Sequence, residues 1–592
     1  MKAGIVGIDF GTTNSLVSFM DGDRPGLIPN ARGARSTPSV VAFSTKGEVL
    51  VGESAKNQAL LNPGNTVIGI KRLLGEEGLV RMGDREYRPA EIAALILGAL
   101  KADAEGHLGR SVDRAVVTAP ANFSEPARRA LLEAGRIAGL DIARILNEPT
   151  AAALSRAWRG LDDKGDGKAP GPGKEPKGGL LLVYDFGGGT FDVTILRQEG
   201  RDCAVLASRG DGRLGGMDLD RELVARAKAL FAERYGIDVE SDRLLAQQLA
   251  DQAERAKIEL SERSEASIAL PFAFRAADGG LVHPQFSISR EDFEAIALPF
   301  VERTLELTAR ALSDAKVETG DLDRLVLSGG SSRMPLVRRL LGERFGLSPE
   351  GGVNPEEVVA LGAAVEGALL EGSDRLRVRD VVSRTYGVEI DGGRFIPLIK
   401  KNSPVPSNRQ RMFTTVADDQ DSVEVHVLQG ESPRVADNLS LGRFLLAGLR
   451  LAQAGIPRIQ VDFAIDESDI LHVSARDLET GAEQAIRIVD LQRGASDETA
   501  ASLASKVVEL SERLGSLASS VRQEGALATE IAESISRGRL ASAADGQGPL
   551  RILRAELEAL VGELLSRGAG AGSGSTMAES EMRRKAAKDL RR

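Results

Sequence analysis

Apolar runs, and the small polar residues between them, fall into three regimes along this chain. Up to about residue 370, short β-branched runs alternate with helical periodicity, as in an α/β region. Two of these runs are near copies: Ile5 to Ile8 in IVGIDFGTTNSLVSF, and Leu180 to Tyr184 in LLLVYDFGGGTFDVTIL. Each predicts a buried strand ending at an aspartate, Asp9 or Asp185, then a tight turn of small residues and a second strand. From Tyr386 to about Leu491 the period becomes two. Ile459, Val461, Phe463 and Ile465 share one face, and Val423, Val425 and Val427 share a face of another strand, so an antiparallel β region is expected. From Ser496 the pattern is helical. Leu503, Val507, Leu510, Leu514, Leu517 and Val521 recur alternately four and three apart, which suits an intramolecular bundle or a short coiled coil. KGDGKAPGPGKEPKGG (Lys164 to Gly179) reads as a surface loop, and GAGAGSGST as a flexible tail before the basic MRRKAAKDLRR.

With 592 residues the chain has room for several domains. A net charge of −10 and a pI near 5.4 argue against nucleic acid as the main partner, because phosphate backbones need a basic face. The single cysteine, Cys203, rules out an internal disulfide and fits a reducing compartment. His107, His283, His426 and His472 lack metal-ligand spacing and read as structural. No apolar stretch is long enough to span a membrane, and the chain enters its first strand too early to leave room for a signal peptide. A cytoplasmic protein without a membrane partner is expected.

The turns carry the chemistry. Gly11-Thr12-Thr13-Asn14 and Gly187-Gly188-Gly189-Thr190 can aim several backbone N–H groups at one anion. The preceding aspartates suit the Mg2+ that accompanies a phosphate, held through water. Either copy alone is also an ordinary glycine-rich hairpin; the pair suggests a duplication with one hairpin from each half facing a shared nucleotide. No G-x-x-x-x-G-K-[ST] P-loop occurs, and no H-R-D-x-x-x-x-N or V-A-I-K element of a protein kinase accompanies the Asp-Phe-Gly.

Further candidates lie between and beyond the hairpins. Lys71, in IGIKRLLG, is a compact cation suited to a γ-phosphate or an attacking water, or else a surface charge. Glu148, ahead of Pro149 in ILNEPTAAAL, caps a helix or positions water or magnesium. Gly210, Gly212 and Gly215 have G-x-G-x-x-G spacing, but with a nucleotide site already supplied, Gly215-Gly216 are expected to close over the same phosphates. Glu254, Lys257 and Ser261 share a helix face, which alone would read as an exposed charged face. Gly329 and Gly330 in LVLSGGSSRMP let a ligand approach the backbone, and Arg333 could stack on an adenine. Asn354 and Pro355 are expected as cap and first residue of a helix.

Taken in order, GIDFGTTNS, IKRLLG, AGRIAGL, NEPTAAAL, DFGGGTFDV, GGSSRMP and NPEEVVALGAA, followed by FTTVADDQDSVEVHVLQGE, ADNLSLGRF and DILHVSARD, resemble the 70-kDa heat-shock chaperone family of DnaK type. The resemblance covers nearly all residues to about 490. It implies a multidomain chain: a duplicated, two-lobed actin-like ATPase domain (1–372), a linker (373–383), an antiparallel β-sandwich that binds peptide (384–494), a helical lid (495–567) and a flexible basic tail (568–592). It implies ATP/ADP and Mg2+ as ligands. Extended or unfolded polypeptides are the implied clients, with a J-domain co-chaperone and a nucleotide-exchange factor as partners.

Residue by residue, the resemblance makes Lys71, Glu148, Asp185 and Thr190 the catalytic group, with Asp9 and Asp185 at the metal. Gly11, Thr12, Thr13, Asn14, Gly187, Gly188, Gly189, Gly215, Gly216, Gly329 and Gly330 surround the nucleotide, and Glu254, Lys257, Ser261, Ser331, Arg333 and Glu356 match its adenosine side. Val388, Ile390, Asp391, Phe413, Val416, Val423 and Val425 match the peptide pocket; Pro120, Arg128 and Asp380 match the interdomain relay. Four features depart from the family. The segment after Gly75 is short, which bears on exchange-factor contacts, and the lid is short. The linker LRVRDVV carries Arg377 and Arg379, so Leu376, Val378 and Val381 would dock as an edge strand with the arginines outward. Asp391 stands where relatives close an apolar arch. A sugar or metabolite kinase on the same fold, and a binding protein using nucleotide only as a structural ligand, are the competing classes; the β region speaks against the first.

Overall fold

The computed structural model describes residues 4–162, 179–236, 238–271, 274–275, 281–350, 354–390, 392–481 and 483–486. The loop at 164–178, the stripe at 503–521, the expected lid and tail, and Asp391 lie outside the described residues. By its contacts the chain divides into Met1–Ile488 and Val489–Arg592, and every described residue belongs to the first unit.

The near-repeat in sequence becomes a repeat in topology. In one sheet the strand Val6–Asp9 turns back into Asn14–Asp21 and then Arg24–Ile28, while Arg114–Ala119 and Asp141–Asn147 add in parallel on its other side. In the other, Gly179–Phe186 turns back into Phe191–Glu199 and Asp202–Asp211, with Arg324–Ser328 parallel on the far side. Continuous apolar runs are what such strands need, because both faces are covered. Tyr184, Phe186 and Phe191 show it on the second sheet, where all three rings are fully buried and the Tyr184 and Phe191 centroids lie 4.8 Å apart.

Two alanine- and glycine-rich helices, Glu148–Asp162 and Val358–Leu370, pack together between the lobes. Their small side chains set the spacing. A methyl at Gly362 would run into the Ala151 backbone, and one at Gly7 into the backbone of the second helix at Ala364. That helix opens at Val358, later than the Asn354–Pro355 start read from the sequence. Gly329 N donates to the Pro355 carbonyl (2.9 Å), and Asn354 Oδ1 accepts from Arg333 and from Glu356 N. Asn354 still caps the turn that leads in, its carbonyl accepting from Val358 N (3.1 Å), but the Pro355 carbonyl is diverted to the Gly329-Gly330 turn and the regular helix starts later.

The linker does add to the second sheet. Arg377–Arg379 pairs in parallel with Asp202–Asp211, Cys203 opposite Val378. Leu376 and Val381 are buried, Val378 is half-buried, and Arg377 and Arg379 face solvent, as alternation on an edge strand requires. Beyond it two four-stranded antiparallel sheets enclose one apolar cluster that includes Val388, Val425, Phe444, Phe463 and Val473. The period-two pattern is realised there: Ile459, Val461, Phe463 and Ile465 are all buried, while the residues between them are half-buried.

Candidate nucleotide site and interdomain relay

The two Asp-Phe-Gly turns meet. Gly188 and Gly189 lie so close to Thr13 and Thr12 that a methyl on either glycine would clash with the facing hydroxyl side chain. Gly215 packs on the Gly188 backbone, and Ser331 Oγ donates to the Gly187 carbonyl (2.9 Å). Arg72 clamps the second turn, donating to the Gly189 carbonyl at 2.6 and 3.0 Å while pairing with Asp218 at 2.7 Å.

These turns form the floor of a cleft of about 530 Å³. Asp9, Gly11, Thr12, Thr13, Asn14, Lys71, Glu148, Asp185, Gly187, Gly188, Thr190, Gly329, Gly330 and Ser331 line it, as do Glu254, Lys257, Ser261, Arg333 and Glu356. Gly189, Gly215 and Gly216 are not in the wall and stand behind it. Lys257 pairs with Asp220 (2.7 Å) and donates to the Gly216 carbonyl (3.2 Å); Glu254 pairs with Lys56 of the opposite lobe (2.8 Å); Arg333 pairs with Glu356 (3.2 Å). Arg35, Asp220 and Arg338 also reach the cleft, and no local pattern marked them.

At the floor the ammonium of Lys71 pairs with Glu148, both buried. Asp9 accepts from Thr118 Oγ1 (3.0 Å). Burial, then the neighbouring Glu148 carboxylate, push Asp9 up to about 7 against the pull of Lys71. Burial, Glu148 and Asp9 drive Asp185 well above the usual carboxylate range, and burial with Glu148 and Asp185 does the same to Asp192. Four acids thus share one buried lysine, a donor set that calls for a further cation. Among the described residues no three carboxylate, histidine or cysteine groups converge closely enough to chelate a metal directly. A cation suited to this floor is one that keeps water in its shell, as Mg2+ does. Asp192, seven residues past Asp185 in the same hairpin, escaped the sequence reading although its position was there to be noticed.

A hydrogen-bonded chain leaves this floor through Asn147, the residue before Glu148. Asn147 Oδ1 accepts from Arg128 (2.7 Å), and its Nδ2 donates to Asp380 of the linker region (3.1 Å), which also accepts from Thr150 (2.9 Å). Arg128 reaches Asp469 of the β region at 3.3 Å. Asp469, buried with a left-handed backbone (φ 58°), accepts from Ser383 (2.9 Å). Pro120 is buried just past the strand end beside this chain. Asp469 and its neighbour Glu125 were missed from sequence, since either reads locally as a turn or helix-end acid.

In the β region Val388 and Val425 are buried in the shared cluster, with Phe413 and Val423 partly buried against it; Ile390 is half-buried and Val416 exposed. His426 bridges Glu389 (2.6 Å) and Ser440 (2.8 Å), a structural setting for that histidine.

The fold and cleft define a two-lobed nucleotide-binding protein whose second lobe carries a linker strand leading to a β region. The comparisons give the family. The sequence model described as Hsp70 protein matches residues 5–79 and 77–537. The chain is 46% identical over 489 residues to the Chaperone protein DnaK of Thermosipho melanesiensis, covering 82% of this chain and 80% of that protein. It is 45% identical over 503 residues to the protein of the same name from Thermotoga petrophila, covering 84% and 82%. The chain belongs to the Hsp70 family. Among the described residues no helix is long and apolar enough to cross a membrane.

Proposed function

We infer that this protein is an ATP-dependent molecular chaperone that binds extended apolar segments of unfolded polypeptides and couples their capture and release to ATP binding and hydrolysis. The observation that carries the coupling is the continuous path from Glu148 through Asn147 and Arg128 to Asp469, with the linker strand docked beside it.

Bound ATP supplies the phosphoryl group and Mg2+ the charge that screens it. Thr12, Thr13 and the glycine turns would hold the phosphates by backbone and hydroxyl donors, and Asp9 and Asp185 would hold the metal through its water. Lys71, held in place by Glu148, stabilises charge and fixes the attacking water, with Thr190 at the terminal phosphate. Transfer of this kind needs positioning and charge stabilisation more than a strong base. Glu254, Lys257, Ser261, Arg333 and Glu356 receive the adenosine. The peptide adds main-chain hydrogen bonds at the β region, and Val388, Ile390, Phe413, Val416, Val423 and Val425 select an apolar side chain.

The domain division reads as an actin-like ATPase domain at 1–372, linker 373–383, β-sandwich 384–494, helical lid 495–567 and tail 568–592. A J-domain co-chaperone and an exchange factor would act on it, in the cytoplasm. The test is the release rate of a fluorescent apolar peptide with ADP and with ATP. Release should quicken severalfold or more with ATP, and equal rates with intact ATP turnover would refute the coupling.

A further inference from the structure

Apart from the nucleotide cleft, a cavity of about 290 Å³ opens where both lobes of the ATPase region meet the β region. Asn122 comes from the first lobe, Arg209 from the second, and Arg384, Lys401, Gln429 and Glu431 from the β side. Its charges are unevenly satisfied. Arg209 is spent on Asp314, which it holds in a fork at 2.6 and 3.0 Å. Glu431 is occupied by Thr385, accepting from its N (2.9 Å) and Oγ1 (2.8 Å). Asp437 is paired with Arg434 (2.8 Å). Arg384 gives one hydrogen bond, to the Asn122 carbonyl (3.0 Å), and forms no ion pair with any carboxylate among the described residues. The Lys401 ammonium has neither a hydrogen bond nor an ion pair among them. Burial, with Arg209 and Arg384 nearby, holds it down to about 8 despite Glu431 and Asp314. The buried amide of Gln429 faces the buried Tyr386 hydroxyl and adds no free donor to the cavity.

Two half-buried cations that touch no carboxylate, with the nearest acids Glu431 and Asp314 already engaged by Thr385 and Arg209, gain from an anion that joins them directly. Phosphate oxygens match a guanidinium edge and an ammonium together, and a cavity of this size suits one phosphate group with a small body attached. We propose that this cavity is a second anion site, taking a phosphate group (inorganic phosphate or the phosphate end of a small metabolite) between Arg384 and Lys401. Because its walls come from three parts of the chain, the bound anion favours the docked arrangement over any in which the β region has left the ATPase lobes. This goes beyond the chaperone reading and does not depend on it.

A ligand specific to the docked state shifts the docking equilibrium by the factor 1 + [L]/Kd, about elevenfold at ten times Kd. The full chain, held with ADP, is titrated with inorganic phosphate and, separately, glucose 6-phosphate, against chloride at constant ionic strength. Docking is read from the alkylation rate of Cys203, which is buried on the strand that the linker strand pairs with, opposite Val378. The expected result is a saturable slowing, approaching tenfold, that weakens above pH 8 as Lys401 loses its proton. A response to phosphate alone assigns the free ion, and a stronger response to the sugar phosphate assigns a metabolite. Arg384→Met with Lys401→Met should abolish the response, and Lys401→Arg should keep it, while ATP still slows alkylation in each. No saturable response to either anion, or an undiminished one in the double variant, overturns the proposal. Loss of protection by ATP itself would instead strike at the coupling proposed above.

Discussion

Acidification should drive the β region onto the ATPase lobes. Two carboxylates are shut into that contact. Glu125 is fully buried; its Oε1 accepts from Arg129 (2.7 Å) and Leu471 N (3.2 Å), and its Oε2 has no partner. Burial pushes it up to about 7, with Asp469 adding to the rise and Arg129 opposing it. Asp469 is raised to about 6, again chiefly by burial, with Asp380 adding to the rise and Arg128 opposing it. Once the domains part, both acids meet water and return to the ordinary range near 4. The docked state therefore binds protons more tightly. Its stability relative to the undocked state is greatest below about pH 4, is lost as pH rises through 6 and 7, and is fully lost above that. Between pH 7.5 and 5.5 the linkage is roughly 2 kcal/mol from Glu125 and roughly 1 kcal/mol from Asp469. Because the two repel each other when ionised, their separate contributions overlap, and a ten- to hundredfold shift toward docking is the expected range. Trypsin reports it directly, since Arg377 and Arg379 lie in the linker strand. Cleavage there with ATP bound, corrected by an unstructured control peptide at each pH, should slow on acidification. Glu125→Gln and Asp469→Asn should each flatten the profile and favour docking at pH 7.5. A corrected rate that stays constant or rises toward pH 5.5, or an unaltered profile in Glu125→Gln, would show that the buried acids do not control docking.

Other outcomes are expected from the same geometry. Lys71→Ala and Thr190→Ala should bind nucleotide yet lose about two to three orders of magnitude in single-turnover hydrolysis, the usual cost of removing one preorganised stabilising group; near-normal turnover in both would refute their assignment. Arg72→Ala frees the Gly189 carbonyl and takes one of two arginines from Asp218, and nucleotide affinity measured by calorimetry should fall about tenfold, the loss of a charge-assisted hydrogen bond or two. Trp158, the sole tryptophan, is buried with the Arg375 guanidinium 4.4 Å over its ring, so its emission should change when the linker leaves and stay constant in Arg375→Met. Replacing Asp391 by Met should reduce any preference for lysine beside the pocketed side chain, by up to about 1 kcal/mol and less at high salt, as peptide titrations would reveal.

What could be read in the sequence was what is local. A strand-end aspartate, a turn of small residues and a return strand lie within fifteen positions, so both hairpins were legible, and the nucleotide cleft with them. The linker was legible for a similar reason: Leu376, Val378 and the arginines between and after them alternate, and alternation alone predicts which side of an edge strand is wet. Asn354 and Pro355 misled by one turn because a carbonyl more than twenty residues from Gly329 was already claimed by its N–H. Asp469 marks where local reading ends. In AIDESDILHV it looks like one of several acids at a polar turn, and aspartate tolerates a left-handed backbone well enough to belong there. Only a partner 341 positions earlier in the chain makes it a buried ion pair, since Arg128 is covered by the same contact that covers Asp469. Neither charge is specified by its neighbours in sequence: Arg128 has Asn147 and the Ala121 carbonyl as partners in its own region, but its carboxylate partner comes only from the other. The residues proposed to couple the domains are therefore conditional on docking, whereas those proposed to cradle phosphate are built by their own hairpins. That difference predicts which measurement separates them: substitutions in the relay should change the peptide release rate with ATP while leaving ADP affinity within about twofold, and a relay variant such as Asp469→Asn that weakened ADP binding tenfold would break the distinction.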